Sequence, residues 1–473
     1  MSNFKRQHPI TIFTGAIKEL KGFIIPIILV AGFSVVGTDL DLFGDYWALL
    51  FTLITIGTSA LFGSLKWFFF RYSYDEDAIT IKSGVMIKKH RYIKKERIQT
   101  INLEAGIILR LLGLSSIRIE TAGNLDESEV SIDATRLNEA HTIKQLFTEN
   151  KKVVQSEETL KPEDKMIEVD AIQLFKAGLT SGGFIVVLLF MIFLLGQITA
   201  FLPSSTIAYF EDVYARLGVI FLLITLFSVI LLSWIASIFK YVIRHAFFTI
   251  KKSETDIEIT RGLIVKKTLT IKPHRIQAVV LKQGLFRQPF NYVSIEVKVA
   301  GGKMEDSLTS TELHPFIKSN QVKDFLKNVL PDIPVNETFI GIPKRAWIRY
   351  SVRNLWMYLV LIPLSFFSLY SLWFLVLLPF SILLMMSQFN FAGFYIGEDT
   401  LYIRKRVIAR QWVITKRKHI QSMHFNRSLF QRIRRLSTVG FTVLAAPKVA
   451  VFSLQDIGYD DQKDLYEWLS KKG

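Results

Sequence analysis

One block of about forty residues is written three times in this chain, and whatever fold it takes must be taken three times and joined. The copies read GVMIKKHRYIKKERIQTINLEAGIILRLLGLSSIRIETAG from Gly84 to Gly123 and GLIVKKTLTIKPHRIQAVVLKQGLFRQPFNYVSIEVKVAG from Gly262 to Gly301. A third, more worn, reads RVIARQWVITKRKHIQSMHFNRSLFQRIRRLSTVGFTVLAA from Arg406 to Ala446. Spacing carries the likeness. Gly84 stands 13 residues before Arg97, Gly262 before Arg275, and Arg406 before His419. Gln99 to Gly106, Gln277 to Gly284 and Gln421 to Ser428 are each seven residues.

Each block continues through alternating, strand-like text (IRIET, SIEVKV, GFTVL) and ends in an amphipathic helix, over Leu137–Asn150, Phe316–Leu330 and Asp460–Lys472. A glycine ahead of each turn permits positive φ between strands. Each copy should form a small, strongly bent antiparallel sheet closed by a C-terminal helix.

Ahead of each block stand two apolar runs of the length a bilayer needs, about 20 residues of helix. The six runs are 22–38, 46–65, 184–202, 217–239, 354–370 and 372–389, and none holds an Asp, Glu, Lys, Arg or His. The last two lie within Leu355–Phe389 with no polar connection. Arg345, Arg349 and Arg353 before them and Arg404–Arg406 after them put both ends on one side, as in a hairpin. The connections TDLDLFGD and SSTIAYFEDVYAR are acidic, whereas the repeats are basic. That is the positive-inside pattern, and it places the N-terminus and all three repeats in the cytoplasm of a multi-pass cell-membrane protein. Ile10–Leu20, Ala171–Leu179 and Pro343–Val352 mix apolar residues with Lys or Arg, as interfacial helices do. The expected segments are 1–70 (N-terminal segment and first hairpin), 71–152 (first repeat domain), 171–240, 241–334, 343–390 and 391–473, with Leu160–Asp170 an exposed linker.

The pattern G-x-I/L, R-I-Q, G-x-h-x-R and A-G after a membrane hairpin resembles the bacterial pleckstrin-homology-like (PH-like) domain of YdbS/YdbT-type membrane proteins. Copy one matches through Gly84, Arg97, Ile98, Gln99, Gly106 and Arg110, and copy two through Gly262, Arg275, Ile276, Gln277, Gly284 and Arg287. Copy three departs, with Arg406, His419 and Ser428 in place of glycine, arginine and glycine, and with Gln421 kept. The resemblance implies an integral membrane α plus β protein: six transmembrane helices in three hairpins, each followed by a cytoplasmic PH-like β-barrel or sheet with a C-terminal helix. It also implies a link to envelope stress and antimicrobial-peptide resistance, and a smaller single-repeat membrane partner.

Chemistry-bearing patterns are few. Absence of cysteine excludes disulfides, zinc thiolates and thiol catalysis. The eight histidines form no metal-ligand spacing, and no phosphate-binding loop or nucleophile elbow is present, so no catalytic residue, metal or cofactor is expected. The spans offer Gln197, Ser, Thr and Tyr but no charge, which disfavours proton-coupled transport.

Much of the net charge of +17 is concentrated between Arg404 and Arg435, with eleven bases and no acid: Arg404, Lys405, Arg406, Arg410, Lys416, Arg417, Lys418, Arg427, Arg432, Arg434 and Arg435. Beside a membrane span each such base gains about 1 kcal/mol from anionic lipid. Headgroups therefore take precedence over nucleic acid, though topology and solubility would ask for the same bases. The R-I-Q residues are expected to serve as hydrogen-bonding positions of a strand. The leading expectation is a non-enzymatic scaffold that binds anionic lipid. A transporter of peptides or lipids, and a platform that recruits the smaller partner or forms a homo-oligomer through exposed strand edges, are the alternatives.

Overall fold

The computed structural model describes residues 4–17, 45–85, 87–121, 129–148, 165–198, 203–253, 256–300, 311–334, 338–364, 378–445 and 449–470. The expected span 22–38 lies outside them. The chain divides into two compact units, Met1–Pro162 with Glu168–Thr249 and Ile259–Thr270, and Glu163–Ile167 with Ile250–Glu258 and Ile271–Gly473. Their boundary runs through the second repeat.

Copy one supplies β1 (Arg71–Tyr74), β2 (Ala78–Ser83), β3 (Lys89–Lys94), β4 (Ile98–Gly106), β5 (Leu114–Thr121) and β6 (Glu129–Arg136). After β7 (Lys165–Glu168), copy two supplies β8 (Thr249–Lys252), β9 (Ile257–Arg261), β10 (Val265–Ile271), β11 (Ile276–Gln283), β12 (Tyr292–Val299) and β13 (Thr311–Lys318). After the short β14 (Ile340–Gly341), copy three supplies β15 (Gly393–Ile396), β16 (Thr400–Arg406), β17 (Arg410–Lys416), β18 (Ile420–Asn426), β19 (Leu436–Val443) and β20 (Ala450–Gly458). The helices are α1 (Asp45–Phe69), α2 (Ile107–Leu111), α3 (Leu137–Thr148), α4 (Ala171–Leu179), α5 (Phe184–Ile198), α6 (Ser204–Leu217), α7 (Val219–His245), α8 (Val322–Val329), α9 (Trp347–Leu364), α10 (Leu378–Phe391), α11 (Leu429–Ile433) and α12 (Tyr459–Ser470).

PH-like sheets with helices are present, but a copy does not close on itself as expected. In every copy a 3₁₀ turn at the R-I-Q position, Lys95–Arg97, Pro273–Arg275 or Arg417–His419, separates two three-stranded halves. The first half of copy one is a sheet of its own, β1-β2-β3, and so is the last half of copy three, β18-β19-β20. In the first unit β4 carries β10 of the next copy along its outer edge, with Thr268 opposite Leu103. In the second unit β11 carries β17 in the same way, with Trp412 opposite Leu281. These two seams fit the lack of clean alternation in β4 and β11: the neighbours Val279 and Val280 are both fully buried, and Thr100, Ile101, Asn102 and Leu103 are buried in succession. A strand covered on both faces and both edges has no polar side to show.

The C-terminal helix of copy two is shorter than expected. Phe316 and Ile317 belong to β13, where Phe316 stacks on Tyr292 at 4.0 Å, and α8 begins only after the 3₁₀ turn Ser319–Gln321. An apolar pair at a strand end reads like the start of a helical stripe, and cross-strand stacking decides the matter.

Six transmembrane helices are more than the structure supports. Among the described residues one helix, α7, is long and apolar enough to cross a bilayer alone, its 27 residues spanning ~40 Å. α4 and the apolar stretch Phe184–Leu195 meet at a bend of 62°, and Leu53–Phe69 and α10 are shorter apolar helices. The expected loop after the third run is instead a helix, α6, with Arg216 and Asp212 paired at 2.8 Å one turn apart and with Tyr209, Phe210 and Tyr214 exposed. Gly218, at φ 57°, turns the chain from α6 into α7. Two amides not counted among the polar residues of the spans, Asn354 and Gln388, bond each other at 3.0 Å and so tie α9 to α10.

Candidate membrane-contact site

Every strand of the β4 type runs into a short helical turn whose apolar side chains face outward. α2 shows Ile107, Ile108 and Leu111; the 3₁₀ turn Leu285–Arg287 shows Leu285 and Phe286; α11 shows Leu429, Phe430 and Ile433 at 73%, 71% and 79% exposure. Their position is fixed by the neighbouring hairpin turns. In the first unit, Gly262 N and Leu263 N donate to Ala246 O and Ile243 O, fastening the β9–β10 turn to the end of α7, and Arg110 Nη1 donates to Leu263 O at 2.8 Å. In the second, Gln388 Nε2 of α10 donates to Val407 O at 2.9 Å, and Gln288 Nε2 donates to Ile408 O at 3.3 Å. The turns are apolar as well, with Leu263, Ile264, Val407 and Ile408 exposed. Short helix and turn thus form an apolar lip where the chain leaves an apolar helix. The residue types read as core in the sequence. The only signal was that Leu-Phe-x-x-Ile sits directly between two strands, too short a segment to bury its own stripe.

α11 is the most firmly built of these lips. Ser428 Oγ accepts from Gln431 N at 3.4 Å, and Gln431 Oε1 accepts from Ser428 N at 3.0 Å, closing a capping box around a five-residue helix. Buried Gln431 also donates through Nε2 to Thr438 Oγ1 at 2.8 Å and Asp456 Oδ1 at 2.9 Å. Asp456, fully buried at φ 63°, accepts from Arg349 Nε at 2.7 Å and Arg353 Nη1 at 3.4 Å. Arg345 Nη2 donates to Arg435 O at 3.1 Å. Arg345, Arg349 and Arg353, at the start of α9, thus anchor α11.

The eleven-base run is divided between two places. Its first part lies inside the third copy. Arg404 stands 4.6 Å over the Phe339 ring, Arg410 lies over Phe391 and donates to Gln283 Oε1 at 3.3 Å, and Arg427 lies over Tyr459. Burial pushes Arg404 and Lys405 below their ordinary pKa values; for Arg406, burial acts first and the neighbouring Arg410 adds to it. Lys416 pairs with Asp332 at 3.5 Å and Arg417 with Asp399 at 3.1 Å, across an open groove of about 1050 Å³ that Lys418 also lines. The second part, Arg432, Arg434 and Arg435, lies in the last turn of α11 and just beyond it, with Arg432 and Arg435 exposed and Arg434 half-buried.

The repeat motif divides as well. Gly84 and Gly262 hold φ of 110° and 106°, and a Cβ on them would lie 1.9 Å from Ile87 O and 2.1 Å from Val265 O. Copy three avoids this turn by extending β16 through Arg406, which pairs with Arg410. Gly106 and Gly284 have no such need. Their φ values are −69° and −63°, open space surrounds them, and Ser428 fills the same role at −71°. The positive φ expected there is absent because the position is a helix cap. Arg275 is buried and donates to Ala300 O, and Gln277 Nε2 donates to Arg275 O at 3.2 Å. These are structural hydrogen bonds. Arg97 is exposed, and Gln99 stands in β4 with its side chain outside the described set. His419, half-buried, has its pKa lowered chiefly by burial although it bonds the Gln277 backbone, and Gln421 is exposed.

Three-fold halves of a bent sheet, each with a terminal helix and an apolar helix before it, define a membrane protein built from repeated PH-like domains. The bacterial PH domain family matches the chain three times, at residues 25–151, 183–332 and 356–473, and the chain belongs to it. Over 497 aligned residues, covering 99% of each chain, it is 30% identical to the UPF0699 transmembrane protein YdbT of Bacillus subtilis (strain 168), and it is a member of the YdbT family.

Proposed function

We propose that the protein is a non-enzymatic membrane scaffold whose third PH-like copy grips anionic lipid through α11, in the service of envelope protection against antimicrobial peptides. One observation carries this reading. Leu429, Phe430 and Ile433 are displayed on a helix braced by Ser428, Gln431 and Asp456, and Arg432, Arg434 and Arg435 stand in its last turn and directly after it, none of them buried. Apolar side chains that enter the acyl boundary with bases beside them in the sequence use both attractions a leaflet offers, burial and charge. Arg110 of copy one, at the position of Arg432, is already engaged with Leu263 O; copy two has Gln288 at that position, and its Arg287, at the position of Gln431, donates to Pro315 O. The lipid-gripping role therefore falls to copy three.

The test uses the whole chain, because no copy holds its sheet alone. With no native cysteine, Leu429→Cys accepts a single environment-sensitive fluorophore. In nanodiscs containing anionic lipid its emission should shift to the blue relative to neutral nanodiscs. High salt, or Arg432→Glu with Arg434→Glu and Arg435→Glu, should reverse the shift. Equal spectra in the two lipids would sink the reading.

A further inference from the structure

Of the strands that make seams, β3 and β18 end their sheets: among the described residues no strand pairs with the outer edge of either. Each is half of a seam seen twice elsewhere. β3 corresponds to β10 and β17, and β18 to β4 and β11. The two seams share one register, with the residue six positions after the first repeat position opposite the residue four positions after the motif glutamine: Thr268 with Leu103, and Trp412 with Leu281. Both orphan strands keep the side chains of a seam without its burial. Tyr92 is 60% exposed, while its counterparts Thr270 and Ile414 are at 7% and 3%. Met423 and Phe425 stand where Ile101, Val279, Leu103 and Leu281 are buried, yet they are only half covered. The lips are orphaned in the same way. Ile87 on the β2–β3 turn is 73% exposed, and among the described residues no strand hairpin pairs beside β18, the strand that leads into α11.

We propose that β18 of one copy of this chain takes β3 of a second copy, in the register of the two internal seams. His90 then lies opposite Phe425, Lys89 opposite Asn426, and the turn carrying Ile87 beside α11 of the neighbour. The occupant is a second copy because β3 has the strand length, position and register that the seam accepts. An unpaired edge rich in apolar side chains is also a template that proteins otherwise cover. The contact is head-to-tail, so repetition produces a ring or an open chain within one membrane. Both edges are basic, with Lys88, Lys89 and Lys94 on one and Arg427 on the other. Salt therefore strengthens this joint, whereas it weakens lipid binding. The proposal does not rest on the lipid reading.

The test mixes two differently tagged full-length chains in native membranes, one Asn426→Cys and the other Lys89→Cys, under mild oxidation. A disulfide-linked heterodimer is expected, and little product is expected when Ser422→Cys replaces Asn426→Cys. Lys282→Cys with Gln411→Cys in one chain, the equivalent pair of an internal seam, must link and shows that the oxidation works. No heterodimer, linking that ignores register, or closure of an Asn426→Cys, Lys89→Cys double variant within a single chain would each overturn the proposal.

Discussion

Arg349 donates to the buried carboxylate of Asp456 at 2.7 Å, and through that carboxylate the start of α9 is joined to β20 and to the cap of α11. Removing the acid takes from Arg349 its carboxylate partner and leaves Gln431 with Thr438 alone as an acceptor for its Nε2. Breaking a buried pair by deleting one partner typically costs about 3–5 kcal/mol, and less here because Arg349 is 28% exposed. Asp456→Ala should lower the thermal midpoint of the detergent-purified protein by roughly 5–10 °C and make the Ser428–Arg435 segment newly sensitive to protease. An unchanged midpoint with unchanged cleavage would contradict the role given to this carboxylate.

The two glycines of copy two should respond in opposite ways to alanine. At Gly262 the added Cβ meets Val265 O at 2.1 Å with φ at 106°, so the hairpin turn must rebuild, at a cost of about 2 kcal/mol or more. At Gly284 nothing lies within 4 Å and φ is −63°, so Gly284→Ala should be neutral or stabilising by up to ~1 kcal/mol through the unfolded chain. Thermal midpoints of the two variants, measured side by side, check the sign of each.

His314 is held neutral. Burial lowers its pKa from 6.5 to about 4, its Nδ1 accepts from Phe316 N at 3.2 Å, and its ring meets Phe325 edge-on. A folded-state pKa below the unfolded one means that its stabilising effect is complete above pH 6.5 and is lost as pH falls toward 4, by about 3 kcal/mol in all. The midpoint of the wild type should therefore fall more steeply between pH 6.5 and 4 than that of His314→Gln. Parallel curves would remove His314 from the account.

An excised copy should fail as a domain. Residues 71–152, expressed alone, keep β1–β6 but present β4 without β10, and the backbone edge from Leu103 to Gly106 loses its partner. Aggregation is expected, with recovery when the segment is extended through β10. A soluble monomer with dispersed amide spectra would show that the seam is dispensable.

How far the sequence speaks follows from what each element needs. The strand runs IRIET, SIEVKV and GFTVL and the terminal helices of copies one and three were legible because their apolar period and repeat spacing are local properties, and the six-residue step from Gly262 to Thr268 even preserves the seam register. The partner of β10 was not legible, since nothing in VKKTLTI names β4 rather than β11. The unalternating AVVL of β11 was the one hint that both sides are covered. At α11, Leu429, Phe430 and Ile433 have the composition of a core, and only the bracing of Gln431 by Asp456, distant in sequence, turns them outward. Half of the basic run was misleading for a related reason: Arg404 and Arg410 find aromatic faces that no spacing rule anticipates.

The seam between β4 and β10 also dictates an order of events on the ribosome. Leu103 must wait for Thr268, about 165 residues later, and α4 through α7, the last of them long and apolar enough to cross a bilayer, must be made in between. At 5–20 residues per second that is roughly 10–30 s during which half a sheet stands open. A nascent chain of this design therefore carries an open strand edge throughout the synthesis of α4 to α7, and any pause there leaves β4 free to pair with the wrong neighbour.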